Sequence, residues 1–125
     1  MSEVVRFADA EPADRGDGIE TVVLTPAVIE GQTFLMGITT FPPGTRIREH
    51  CHNTVEQVVV IEGSGVVEID GKETAVGLHD ATQVEPGVYH RFRNDHSDVM
   101  RILWVYGGTH VTRTYADTGE TVLAH

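Results

Sequence analysis

The feature that most constrains this chain is its pattern of short β-branched runs cut at close intervals by turn residues. Val, Ile and Thr supply 39 of the 125 residues, and Leu only 5. Side chains branched at Cβ lose rotamer freedom in a helix and pack well on a pleated surface, so this bias favours strands. Thirteen Gly and five Pro punctuate the chain. Strands are expected at 22–24, 33–41, 57–61, 66–69, 72–76, 81–85, 89–93, 99–106, 111–115 and 120–123. Pro42-Pro43-Gly44 stops the second of these, and Asp70-Gly71 is a hairpin pair, because both residues tolerate the positive φ of a tight I′ turn. No segment sustains a 3.6-residue period and none repeats at solenoid spacing. About ten short strands with regular turns predict an all-β antiparallel sandwich or barrel.

Other properties narrow the function. The length suits one domain over residues 1–125 with a core of its own. The formal charge is −10, which disfavours nucleic acid and anionic membrane surfaces as partners. The single Cys, Cys51, cannot form an intrachain disulfide, and the charged N-terminus has no apolar signal core. A cytoplasmic protein is expected. Residues 1–20 read as an acidic lead-in, solvated over 8–20, where Arg15 is the one basic residue among five carboxylates. Residues 109–123 read as a C-terminal hairpin whose apolar face (Val111, Val122, Leu123) adds strands to its own sheet or to a partner's. Because open sheets expose edges that pairing covers, a homodimer is expected.

The chemistry concentrates in His50-Cys51-His52 and Glu56. On a strand, residues two apart share a face, so His50 and His52 point one way and Cys51 the other. Glu56 follows a bend at Asn53-Thr54 and can turn in beside them. Two imidazoles and a carboxylate converging suit a divalent first-row metal, and His90, on a later strand, could close the site.

The context of these residues carries a family resemblance. Gly44, five residues, His50, Cys51, His52, three residues, Glu56, six residues and Gly63 resemble the first motif of the cupin superfamily at every spacing. Residues 79–94 are similar to the second motif, with Gly87, His90 and Asn94 in register. Two positions depart: His79 stands at the family's leading Gly, and Glu85 at its Pro, with Pro86 one residue later. The resemblance implies a double-stranded β-helix, or jelly-roll barrel, and one divalent metal held by His50, His52, Glu56 and His90. Fe, Mn, Ni, Zn and Cu all suit this donor set, whereas a closed structural zinc site would be richer in Cys.

Small cupins include dioxygenases, isomerases, epimerases, lyases and cyclases. The resemblance therefore implies a metalloenzyme acting on a small oxygen-rich or enolisable molecule, with dioxygenase-like chemistry slightly favoured. A metal-dependent isomerase, lyase or cyclase is the alternative, and a non-enzymatic ligand or metal sensor is a third reading. Glu56 is the expected base and Tyr106 the expected phenol donor to a bound anion. Arg48, or Arg46, would share the face of His50 if the strand were unbroken and could then clamp a substrate carboxylate, although a surface salt bridge fits equally. Phe92 and Met36 are the expected apolar substrate contacts, alongside barrel packing by Phe34 and Trp104. Asn94 is expected to hold a turn through its side chain.

Overall fold

The computed structural model describes residues 2–125. Its strands are β1 (Ala13–Asp14), β2 (Glu20–Val23), β3 (Leu35–Phe41), β4 (His50–His52), β5 (Glu56–Glu62), β6 (Gly65–Ile69), β7 (Lys72–Val76), β8 (Ala81–Val84), β9 (His90–Arg93), β10 (Met100–Tyr106), β11 (Thr112–Tyr115) and β12 (Thr121–Leu123). They form two six-stranded antiparallel sheets, ordered β1-β2-β3-β10-β5-β8 and β12-β11-β4-β9-β6-β7. This is the jelly-roll architecture. Among the described residues the only helical element is a 3-10 turn at Phe7–Asp9.

Alternation along the strands builds the core. In β3, Leu35, Gly37, Thr39 and Phe41 face inward, and in β10 Met100, Ile102, Trp104 and Tyr106 do the same. With Val58, Val67 and Phe92 they fill the space between the sheets. Gly37 is required there, because a Cβ would stand 2.1 Å from the Trp104 ring. The indole lies across β3 and donates from Nε1 to Thr39 Oγ1 at 3.1 Å.

Turn chemistry sets the registers. Asp70 and Gly71 both take positive φ, 51° and 79°, and pair Ile69 with Lys72. The displaced proline also finds a use: Glu85-Pro86-Gly87-Val88 closes through Val88 N to Glu85 O, with Gly87 at φ 80°, as a turn with Pro second and Gly third requires. His79 takes φ 72°, a left-handed conformation that costs a residue with a Cβ about 1 kcal/mol. The expected turn role of Asn94 is met, since its fully buried amide donates to the carbonyls of Phe41, Pro42 and Asp98.

Two expectations need correction. Residues 8–20 are not a solvated loop throughout: β1 pairs with β2, and Ile19 is completely buried. The strand leading to His50 is also broken. Residues 47–49 lie outside any strand, and Ile47 and His50 both face inward although their numbers differ in parity. Arg46 and Arg48 are therefore exposed. The C-terminal hairpin pairs with its own sheet, through β11 on β4.

Candidate metal centre

β4 places His50 and His52 inside the barrel and leaves Cys51 half-buried on the other face. The chain then crosses from one sheet to the other at Asn53–Val55. Asn53 pins that corner: its amide donates to His110 O at 3.1 Å, and its Oδ1 accepts from Thr112 N at 2.9 Å. Glu56 opens β5 on the facing sheet and so points back at the two imidazoles. His90 opens β9 as the direct cross-strand neighbour of His50. All four are nearly inaccessible to solvent.

The ring centroids lie 4.6 Å apart for His50 and His90, 4.8 Å for His50 and His52, and 5.3 Å for His52 and His90. One nitrogen from each ring falls within 4.8 Å of the others. Each Nδ1 faces a backbone carbonyl: Arg48 O at 2.6 Å for His50, Thr112 O at 3.0 Å for His52 and Val88 O at 2.9 Å for His90. A carbonyl only accepts, so each Nδ1 carries a proton. Such outer contacts fix the ring orientation and leave Nε2 as the metal-facing nitrogen, on a neutral ring for His50 and His52.

Electrostatics agree with that assignment. Burial, helped by the charges of His90 and His52, holds His50 well below the usual histidine range. Burial likewise brings His52 down to about 4, against an opposing pull from Glu56. His52 Nε2 is buried and has no hydrogen-bond partner; Glu56 Oε2 stands 3.7 Å away. His90 differs. Burial opposes its charge, but the bond from Nε2 to Glu56 Oε1 at 2.9 Å and the Glu56 charge outweigh it and push His90 up. The residues thus fit a divalent cation: two imidazoles held neutral, a third paired with a carboxylate, and an orphaned nitrogen in their midst.

Around this centre lies a small cavity of about 20 Å³, room for a water molecule or an ion. His50, Glu56, His90, Phe92, Trp104 and Tyr106 line it, together with Thr39, Phe41, Ile47, Ile102 and Arg15. Tyr106 sits directly across from Glu56 in the β5–β10 register. Its ring lies 4.7 Å from His52 and stacks on Trp104 at 4.5 Å. Burial, then the Glu56 charge, pushes its phenol far above its ordinary value, so Tyr106 stays a proton donor at neutral pH.

Of the residues expected to bind substrate, Phe92 lines the cavity and two do not. Arg48 stacks over Tyr115 at 3.7 Å and pairs with Asp117 at 2.6 Å on the exterior. Met36 points outward, because Leu35 and Gly37 take the inner face of β3, and it lines a surface groove with Phe34 and Ile29. The interior cations are instead Arg15 and Arg113. Arg113 is buried, two residues after fully buried Val111 and directly across from His52. Its parity with Val111 was the available clue. Arg15 was hidden by its acidic neighbourhood.

The comparisons with known proteins agree with the geometry. The family model of the cupin domain matches residues 37–106. The chain is similar to the polyketide synthase protein CurC of Streptomyces cyaneus, 30% identical over 102 residues, which cover 81% of this chain and 66% of that one. This chain thus spans about two thirds of that relative's length. It resembles in fold a sugar phosphate isomerase from a cupin superfamily of Silicibacter pomeroyi, with a TM-score of 0.77, 23% identity, and coverage of 97% of this chain and 86% of the other. The salicylate 1,2-dioxygenase of Pseudoaminobacter salicylatoxidans is similar at a TM-score of 0.68 and 17% identity, over 78% of this chain and 27% of that one. A two-sheet jelly roll, an inward histidine triad and a domain match spanning both motifs lead to one conclusion: this chain belongs to the cupin family.

Proposed function

We propose that this protein is a metal-dependent enzyme acting on a small, oxygen-rich or enolisable molecule, with dioxygenase-like chemistry slightly favoured. The observation that carries the reading is the triad itself: three inward imidazoles with each Nδ1 tied to the backbone and the ring nitrogens converging. His50, His52 and His90 would hold the metal, with Glu56 as the fourth ligand. A bound divalent ion supplies Lewis-acid polarisation of substrate oxygens and, when redox-active, a route to O2 chemistry.

The chain's own groups do the rest. Glu56 Oε1, already facing His90 Nε2, is placed to hold or move a proton. The Tyr106 hydroxyl would donate to a developing oxyanion, a role supported by its place in the cavity lining. Phe92 and Trp104 supply apolar walls to the chamber. The Glu56–His90 pair also supports a second reading, an isomerase, lyase or cyclase in which that pair relays a proton without O2. We read the native assembly as a cytoplasmic homodimer, and a monomer by light scattering at micromolar concentration would contradict the dimer.

Elemental analysis of protein purified without added metal, followed by anaerobic Fe(II) reconstitution and an O2-uptake screen on enolic and catecholic compounds, tests the reading. Substrate-dependent uptake is expected. Turnover of an enolisable compound without O2 would favour the isomerase class. A His50→Ala, His90→Ala double variant that still held stoichiometric metal would overturn the site.

A further inference from the structure

The barrel interior carries more positive charge than its residues neutralise. Arg15 and Arg113 both lie inside, and the one buried carboxylate among the described residues is Glu56. Neither arginine forms an ion pair. Arg15 Nη2 and Arg113 Nε are each buried without any hydrogen-bond partner. An orphaned polar group out of water is costly, and a charged one more so.

Arg15 reaches the metal centre from an unexpected direction. It stands at the base of a tight loop after β1, where Arg15 N donates to Ile19 O at 2.8 Å and Ile19 N to Gly16 O at 2.9 Å. Gly16, Asp17 and Gly18 all take positive φ, which folds the loop back sharply. Ile19 is completely buried, so the loop is anchored against the barrel. Arg15 Nη1 donates to Thr21 Oγ1 at 3.3 Å, and Thr21 is itself bonded to Thr39 at 2.8 Å. These bonds aim the guanidinium into the cavity lined by His50, Glu56 and His90. A purely structural arginine would be expected to use its whole fork, as Arg93 does on the exterior, where it engages Glu68, Glu73 and Asp95.

We propose that Arg15, supported by the charge of Arg113, anchors an oxyanion of the substrate, and that the substrate is a small carboxylate. The inference rests on the metal reading for where the substrate's other oxygens go, but the anchor is a property of these two side chains. A guanidinium presents paired N–H groups that match a carboxylate, and an interior with surplus positive charge favours an anion over its neutral isostere.

The test pairs an anion with its uncharged analogue: lactate and lactamide. Wild-type, Arg15→Met and Arg15→Lys proteins are loaded with Co2+, followed by the metal's visible spectrum, and titrated with each compound by calorimetry. Arg15→Met is expected to lose lactate affinity by about 10- to 100-fold, the range for one charge-assisted contact, while Co2+ and lactamide affinities hold. Arg15→Lys is expected to recover part of the loss. Equal lactate binding by wild type and Arg15→Met, or none by Co2+-loaded wild type, would overturn the anchor and leave the metal reading standing. Failure of wild type to bind Co2+ would overturn the metal reading. The anchor is then judged on the same lactate titration of metal-free protein, where the same loss is expected and its absence overturns the proposal. Arg15→Lys keeps the charge and the judgement available if Arg15→Met folds poorly.

Discussion

The two faces of β9 treat charge in opposite ways. On the outer face Arg91 pairs with Glu68 at 2.8 Å, and Arg93 pairs with Glu68, Glu73 and Asp95 at 2.8–3.2 Å. On the inner face His90 joins a cluster where Glu56 is the one carboxylate and where Arg15 and Arg113 have atoms without partners. The exterior is a satisfied ladder that adds modestly to stability. The interior holds charge that folding alone would discard. The difference is one between charges satisfied within the sheet and charges left without partners, which the proposal above assigns to a ligand.

The largest effect is expected at the triad. His50→Ala or His52→Ala should weaken divalent metal binding by at least about 100-fold, read by equilibrium dialysis with elemental analysis. Metal retained at wild-type affinity would place the ligands elsewhere. The next is structural: Trp104→Ala removes a buried indole that packs on Gly37 and Tyr106, and should cost about 3–5 kcal/mol in urea unfolding.

The third prediction tests the contrast through its sign. Arg113→Met removes an incompletely satisfied buried cation while keeping length and apolar bulk, so stability should stay level or rise by about 1–2 kcal/mol. Arg93→Met breaks a satisfied outer network and should lower stability slightly, by a loss that shrinks in high salt. If both variants lost stability equally, the two faces would not differ as described.

The smallest effect concerns pH. Hydrogen bonding to Arg91 holds Glu68 below the ordinary carboxylate value of 4.5. Its folded-state value is depressed, so its contribution is fully present above pH 4.5 and fades as pH falls through the lower folded value. Glu68→Gln should flatten the acid limb of the stability profile by up to about 1 kcal/mol, measured as urea midpoints from pH 6 to pH 3. An unchanged acid limb would show that the outer ladder is idle.

Much of this was legible in advance because it depends on local chemistry. Asp70-Gly71 dictated its hairpin, and His50 and His52, two apart, had to share a face. Met36 shows where alternation runs out: it divides a strand into two faces without saying which is inner, and Leu35 and Gly37 hold the interior. Arg48 shows how one irregular stretch misleads, because residues 47–49 leave the strand and reverse the parity of everything before His50. Arg15 was missed for a third reason. A lone arginine among carboxylates reads as a solvated residue until the loop around it is known to fold back onto the barrel.

The amino-acid sequence by itself determined the strand-and-turn grammar, the barrel class and the identity of the metal-ligand candidates, since each follows from residue type and short spacing. Only the tertiary structure decided which cations lie inside the barrel and that Arg15 lines the chamber. That outcome depends on contacts between segments far apart in the chain, where β11 lies on β4 and Arg15, at the loop after β1, joins the cavity lining, and no local pattern encodes the distance between them.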